Sequence, residues 1–169
     1  MKKALRVIQR EEEISNRIKQ IADEIKAVMP SEEFSVVGIL DDVFVFLADL
    51  IRALNIPLSC NFMRITQKEH ADQTEIVFTS EFNPRGLDIL LVAAIADTGI
   101  TLDHVARRLI ERGAKSVRTC VLLDKPGNRR IDLKPDFVAF EVTGDYVVGY
   151  GLGHQDQFRQ LPYMAEIDI

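Results

Sequence analysis

Three short stretches of this chain carry side chains whose types and spacing could do chemistry. Asp97-Thr98-Gly99-Ile100-Thr101 puts a carboxylate, two hydroxyls and a glycine within one turn. Asp41-Asp42 sets two carboxylates side by side, and Lys125 supplies a cation just before Pro126-Gly127-Asn128. The first stretch lies between an apolar run, Ile89-Leu90-Leu91-Val92, and a helical repeat of Leu102, Val105, Leu109 and Ile110 that ends at Gly113. A strand, a Gly/Thr turn and a helix start make a ready anion site. Unpaired amides at the helix N-terminus and the threonine hydroxyls can converge on one spot. The same residues also read as a simple helix cap, with Asp97 and Thr98 closing the first amides.

The elements that must hold these residues follow from hydrophobic periodicity. Ile14, Ile18, Ile21, Ile25 and Val28 alternate steps of four and three, an amphipathic helix ended near Met29-Pro30. Glu11, Glu12, Glu13, Lys19, Asp23 and Lys26 form its solvated face. Residues 34–40 read as a short apolar strand that leads into Asp41-Asp42. A second helix runs through Phe44, Leu47, Leu50, Ile51 and Leu54 and stops before Pro57. Residues 57–65 look extended, 67–75 read as an exposed loop, and 75–79 as a strand candidate. Asn83-Pro84-Arg85-Gly86 and Lys125-Pro126-Gly127-Asn128 are turns. Residues 116–123 and 137–142 are strands, and 146–150 a short extended piece. The tail through Phe158, Leu161 and Tyr163 packs or ends in a short strand.

Strands alternating with helices predict an α/β fold with a mostly parallel sheet. Ligands of such sheets bind at the carboxyl ends of the strands. Asp41-Asp42, the turn at 97–101 and Lys125 all follow predicted strands, so they share one rim.

Composition narrows the class. The chain of 169 residues suits one domain over 1–169, with 47% apolar and 28% charged residues, as in ordinary soluble proteins. A net charge of −5 argues against a nucleic-acid or membrane-surface partner. No apolar run approaches the ~20 residues of a membrane span. Met1-Lys2-Lys3-Ala4-Leu5-Arg6 lacks the apolar stretch of a signal peptide. Cys60 and Cys120 read as buried reduced thiols, which suits the cytoplasm.

Several blocks, in order over nearly the whole chain, resemble the hypoxanthine-guanine phosphoribosyltransferases. They are Val43-Phe44-Val45-Phe46-Leu47-Ala48-Asp49-Leu50, Asp97-Thr98-Gly99-Ile100-Thr101-Leu102, Leu122-Leu123-Asp124-Lys125, Asp136-Phe137-Val138-Ala139-Phe140-Glu141 and Val147-Val148-Gly149-Tyr150-Gly151-Leu152. The resemblance implies a type I phosphoribosyltransferase fold: a mostly parallel twisted sheet flanked by helices, with a small hood region. It implies a reaction in which a purine base displaces pyrophosphate from phosphoribosyl pyrophosphate, with magnesium, to give a nucleoside 5′-monophosphate. By the same resemblance Asp97, Thr98, Gly99, Ile100 and Thr101 bind the 5′-phosphate, with Asp97 at the position of the general base. Lys125 matches the lysine that donates to the purine oxygen. Tyr146 matches the ring that stacks on the base, and Val147 the main-chain carbonyl that reads its edge. Arg159 matches an arginine near the pyrophosphate. A homodimer or homotetramer is implied too.

Four positions depart from the family's pattern. Its E-D-x-x-D-[ST]-G motif grips the ribose hydroxyls and supports magnesium, and here the acidic pair is Ala93-Ala94. A Lys-Gly or similar small pair, whose amides hold pyrophosphate, is Asp41-Asp42. One aspartate reads as a helix N-cap. Facing pyrophosphate, each unit-charge pair at ~5 Å and an effective dielectric of ~20 costs about 3 kcal/mol before screening, unless magnesium bridges them. The Ser-Tyr pair of the closing loop is absent from Thr66-Gln67-Lys68-Glu69, and the family's magnesium-binding aspartate is Gly153, beside a surface His154. All four changes fall on the metal, ribose and pyrophosphate half. They favour a protein that binds a purine base or nucleoside 5′-monophosphate with transfer weakened or lost, needing no metal. The alternative is an active salvage enzyme that makes IMP or GMP and uses magnesium. A purely structural subunit with an empty site ranks last.

Overall fold

The strand β5, Asp88–Ala96, has an apolar side chain at every position after the first, so it is buried on both faces. It lies between β2, Ser35–Leu40, and β6, Ser116–Asp124, and pairs parallel with both. The computed structural model describes residues 4–29, 34–67, 74–78, 81–144 and 146–167. Beyond β2 the sheet continues to β3, Ser59–Gln67, and to the antiparallel edge strand β4, Thr74–Phe78. Beyond β6 lies the parallel edge strand β7, Phe137–Glu141, which gives the order β4-β3-β2-β5-β6-β7.

Helices cover both faces of this sheet, as the period-two burial of β5 requires. Leu90, Val92 and Ala94 enter a core with Ile14, Ile18, Ile21 and Ile25 of α1, Glu11–Val28, and with Phe46, Leu47, Leu50 and Leu54 of α2, Phe44–Leu54. Ile89, Leu91 and Ala93 enter the other core, against Leu102, Val105 and Leu109 of α3, Ile100–Glu111. The predicted helix faces are therefore the buried ones, except at Val28, Phe44 and Ile110, which are about half exposed. A second, three-stranded antiparallel sheet joins β1, Leu5–Gln9, to β9, Met164–Ile167, and β8, Val147–Val148. This small sheet is the expected hood.

The structure departs from the sequence reading in a few places. Strand β5 runs on through Ala93 to Ala96, and α3 already includes Ile100 and Thr101, so the turn itself is only Asp97 to Gly99. Most of the loop expected at 67–75 lies outside the described residues, as does Thr79; Gln67 ends β3, and Thr74 and Glu75 begin β4. Strand β1 carries no usable period, because it is a partly exposed partner of a four-residue strand. Cys120 is buried, but Cys60 is only partly so; both are free, and burial raises both thiols above their ordinary range. No helix among the described residues is long and apolar enough to cross a membrane.

Edge strand β7 would expose main-chain carbonyls beside α1. Arg17 of α1 occupies them: its Nε donates to Ala139 O at 3.0 Å and its Nη2 to Val138 O at 2.8 Å, while Nη1 donates to Glu24 at 2.6 Å. A planar fork suits two carbonyls in a row, where an ammonium would reach one. Arg17→Ala is expected to lower unfolding free energy by about 1–3 kcal/mol in urea denaturation. Arg17→Lys should recover only part of that loss.

Candidate active site

The parallel strands β2, β5 and β6 end on the same side of the sheet, and each runs directly into a chemically loaded turn. After β2 come Asp41 and Asp42, after β5 Asp97 to Gly99, and after β6 Lys125 and a short 3-10 turn, Pro126–Asn128. The shared rim expected from the sequence is thus present.

The turn after β5 is the best-built part. Gly99, at φ +85°, is the N-cap residue of α3. The Asp97 carboxylate accepts a hydrogen bond from Asn128 Nδ2 at 2.7 Å, while the Ile100 amide donates to Thr98 Oγ1 at 3.4 Å. Of the capping alternative, the Thr98 half is present and the Asp97 half is not. Ile100 and Thr101 are exposed at the positive end of the α3 dipole.

The loop after β6 clasps this turn. The Lys125 amide donates to Ala96 O at 2.9 Å, and the Arg130 amide to Thr98 O at 3.0 Å. Arg129 spends its whole guanidinium here. Nε donates to Leu133 O at 3.0 Å, and Nη1 to Ala96 O at 3.0 Å and Asp97 O at 2.6 Å. Nη2 donates to the buried Asp124 carboxylate. A side chain at 99 would meet Arg129 Cδ at 3.2 Å, which is why glycine sits there, beyond its positive φ. Sequence reasoning missed Asn128, Arg129 and Arg130. A basic run directly after a buried strand was the available signal.

Lys125 is 7% exposed, not a solvated turn residue. The Val142 amide donates to Asp124 O at 2.9 Å, so the segment leading to Tyr146 leaves the sheet beside Lys125. Tyr146 is 52% exposed and meets the His154 ring edge-on at 6.1 Å; Val147 is buried in β8. His154 is half-buried, with its Nε2 enclosed and unbonded among the described residues.

On the β2 side, neither aspartate caps α2, whose N-cap is Val43. Asp41 pairs with Arg64 at 2.6 Å, and Asp42 pairs with Arg159. The repulsion expected of bare carboxylates is thus met by an arginine for each. Arg159 belongs to a strap fixed to α2 by Tyr150, whose hydroxyl donates to Asp49 at 2.6 Å. Burial, and then that hydrogen bond, push the Tyr150 hydroxyl far above its ordinary range.

Ala93 and Ala94 are 6% and 7% exposed, with their methyl groups in opposite cores. Among the described residues no three His, Cys, Asp or Glu side chains converge to hold a metal. The Ser-Tyr position of the closing loop lies partly outside the described residues, at Lys68 and Glu69.

The phosphoribosyl transferase domain family matches residues 7–157. A hypoxanthine-guanine phosphoribosyltransferase of Aquifex aeolicus is 37% identical, over 97% of this chain and 96% of its own. A hypoxanthine phosphoribosyltransferase of Salmonella typhimurium is 34% identical, over 99% and 97%. This chain belongs to the hypoxanthine-guanine phosphoribosyltransferase family. The crystal structure of the Bacillus anthracis enzyme superposes with a TM-score of 0.89 at 28% identity, over 96% of this chain and 97% of that one. A Trypanosoma cruzi hypoxanthine phosphoribosyltransferase variant, solved with the product IMP, gives 0.88 at 29% identity, over 98% and 92%. The fold, from α1 to the hood, is the family's.

Within this family member the clasp has a measurable weight. Arg129→Ala strands the buried Asp124 carboxylate and should cost about 3–5 kcal/mol in urea unfolding. A loss below ~1 kcal/mol would mean that the guanidinium does not anchor the turn. Replacing both partners with apolar residues, Arg129→Met with Asp124→Leu, should recover at least half the loss.

Proposed function

We propose that this chain is a hypoxanthine/guanine phosphoribosyltransferase of purine salvage, which makes a purine nucleoside 5′-monophosphate from the free base and phosphoribosyl pyrophosphate. The observation that carries this reading is the joined rim of β5 and β6. The Lys125 amide is bonded to Ala96 O, one residue before Asp97, so the phosphate turn and the purine lysine form one unit. Likeness to enzymes over the full length supports the same reading.

On this reading the 5′-phosphate rests on the first amides of α3 and on Thr98 and Thr101. Lys125 donates to the exocyclic oxygen of the base, Tyr146 covers its face, and the Val147 carbonyl meets its edge. The ring nitrogen of the base forms a bond to the anomeric carbon as the carbon–oxygen bond to diphosphate breaks. The nitrogen's proton passes to the Asp97 carboxylate, which Asn128 holds in place. Arg159 faces the departing diphosphate. We extend the family's homodimer or homotetramer to this chain as well.

A second reading has its own observation. Ala93 and Ala94 supply no carboxylate to the ribose, and Asp42 already holds Arg159. A site of that kind would keep the nucleotide and lose the transfer.

A pyrophosphate-release assay with hypoxanthine or guanine, phosphoribosyl pyrophosphate and magnesium separates the two. The first reading expects turnover that falls at least ~100-fold in Asp97→Asn. IMP or GMP binding without any turnover would replace it by the second, and binding of none of these ligands would remove both.

A further inference from the structure

We propose that the Asp42 carboxylate is a built-in competitor for the diphosphate position at Arg159, so that a diphosphate taking the Nη1 donor must displace it. This deepens the function proposed above and rests on its assignment of Arg159 to the diphosphate side.

The guanidinium is held from two sides. Arg159 Nη1 donates to the Asp42 carboxylate and to Gly151 O at 2.7 Å, and the Gly151 amide donates back to Arg159 O at 3.0 Å. The side chain then runs directly against Gly153. A Cβ at 153 would lie 2.8 Å from both Arg159 Cζ and Nε, and 3.1 Å from Cγ. Any larger residue there forces the guanidinium to move.

Two departures from the family's pattern therefore become one. The resemblance expects an aspartate at 153 and a small pair at 41 and 42, where this chain has Gly153 and Asp41-Asp42. With an aspartate at 153, Arg159 could not lie where it does. With glycine at 153 it can, and the carboxylate it finds is Asp42.

The consequence is a preference between ligands. A charge-assisted pair already made must be broken before a diphosphate oxygen takes the same N–H. The freed carboxylate then faces that diphosphate at close range. Asp41, beside it, is already paired with Arg64 of β3. A nucleoside monophosphate puts its phosphate in the cradle after β5 and asks nothing of Arg159. The Asp42–Arg159 pair is thus an element of selection against one ligand, not of attraction for another.

Calorimetric titration of the full chain with sodium pyrophosphate, with and without magnesium, tests this. Asp42→Asn should bind pyrophosphate at least tenfold more tightly than the unmodified chain, and Asp42→Ser, which tolerates the loop differently, should do the same. In an Arg159→Ala background the Asp42→Asn change should gain less than threefold, because the contested group is gone. Equal or weaker binding by both Asp42 variants overturns the proposal, as does undetectable binding by all of them. An equal gain in both backgrounds also overturns it, since the aspartate would then act as a general repulsive charge. GMP titrated in parallel decides separately whether the cradle and purine side work. Loss of GMP binding sinks the function proposed above, while the pyrophosphate comparison still decides the role of Asp42.

Discussion

One guanidinium holds the working rim together. Arg129 reaches the last carbonyl of β5, the first carbonyl of the turn, a carbonyl of its own loop and the carboxylate that ends β6. A charge this enclosed is tolerated only when every polar partner is in place. The arrangement is thus close to all-or-none: if the turn after β5 shifts, Arg129 loses two acceptors and Asp124 loses its cation. The turn after β5 inherits its rigidity from that condition. Gly99, pressed against the arginine stem, is the point where the turn can pass beneath it.

Much of this architecture was legible because the relevant signals are repetitive. Five isoleucine and valine residues at steps of four and three marked α1, and four consecutive branched residues marked the middle of β5. The rest was hidden for identifiable reasons. Ala93 to Ala96 extend β5, yet alanine carries no strand preference, so the branched run marks the strand only to Val92 and extension through Ala93-Ala94 rests on their methyl groups packing. Strand β1 has one sequence-distant partner and an exposed face, so no local pattern betrays it. The burial of Lys125 and the clasp of Arg129 depend on a loop folding back over a turn some thirty residues away. Such contacts have no period to read.

The aspartates after β2 teach a different lesson. Read along the chain, Asp41-Asp42 ahead of an apolar helix is a strong capping signal. In space each is claimed by an arginine from elsewhere, Arg64 on β3 and Arg159 on the strap beyond β8. A charge-assisted bond to a guanidinium outcompetes a cap whose helix begins two residues later, at Phe44. The long-range pairs decide what the carboxylates do, and their partners cannot be chosen from sequence when the chain holds 21 basic residues.

On the function proposed above, the two halves of the site are built from different materials. The phosphate side is mostly main chain: helix amides, a glycine at positive φ and carbonyls locked to a buried arginine. Apart from a change to proline, no side-chain substitution removes an amide, and one that moves the backbone costs folding as well. The ribose and diphosphate side relies on side chains at strand ends and loop tips. Two carboxylates at 93 and 94 can become methyl groups that join the cores on either side of β5. Burying an apolar group there stabilises the sheet, whereas an acid at a position under a tenth exposed must be desolvated or paired. The methyl groups at 93 and 94 thus favour the sheet, while the turn after β5 is fixed by main-chain contacts. Asp42 and Arg159 remain as a pair of opposite charges whose meaning is set by whatever anion comes to compete for them.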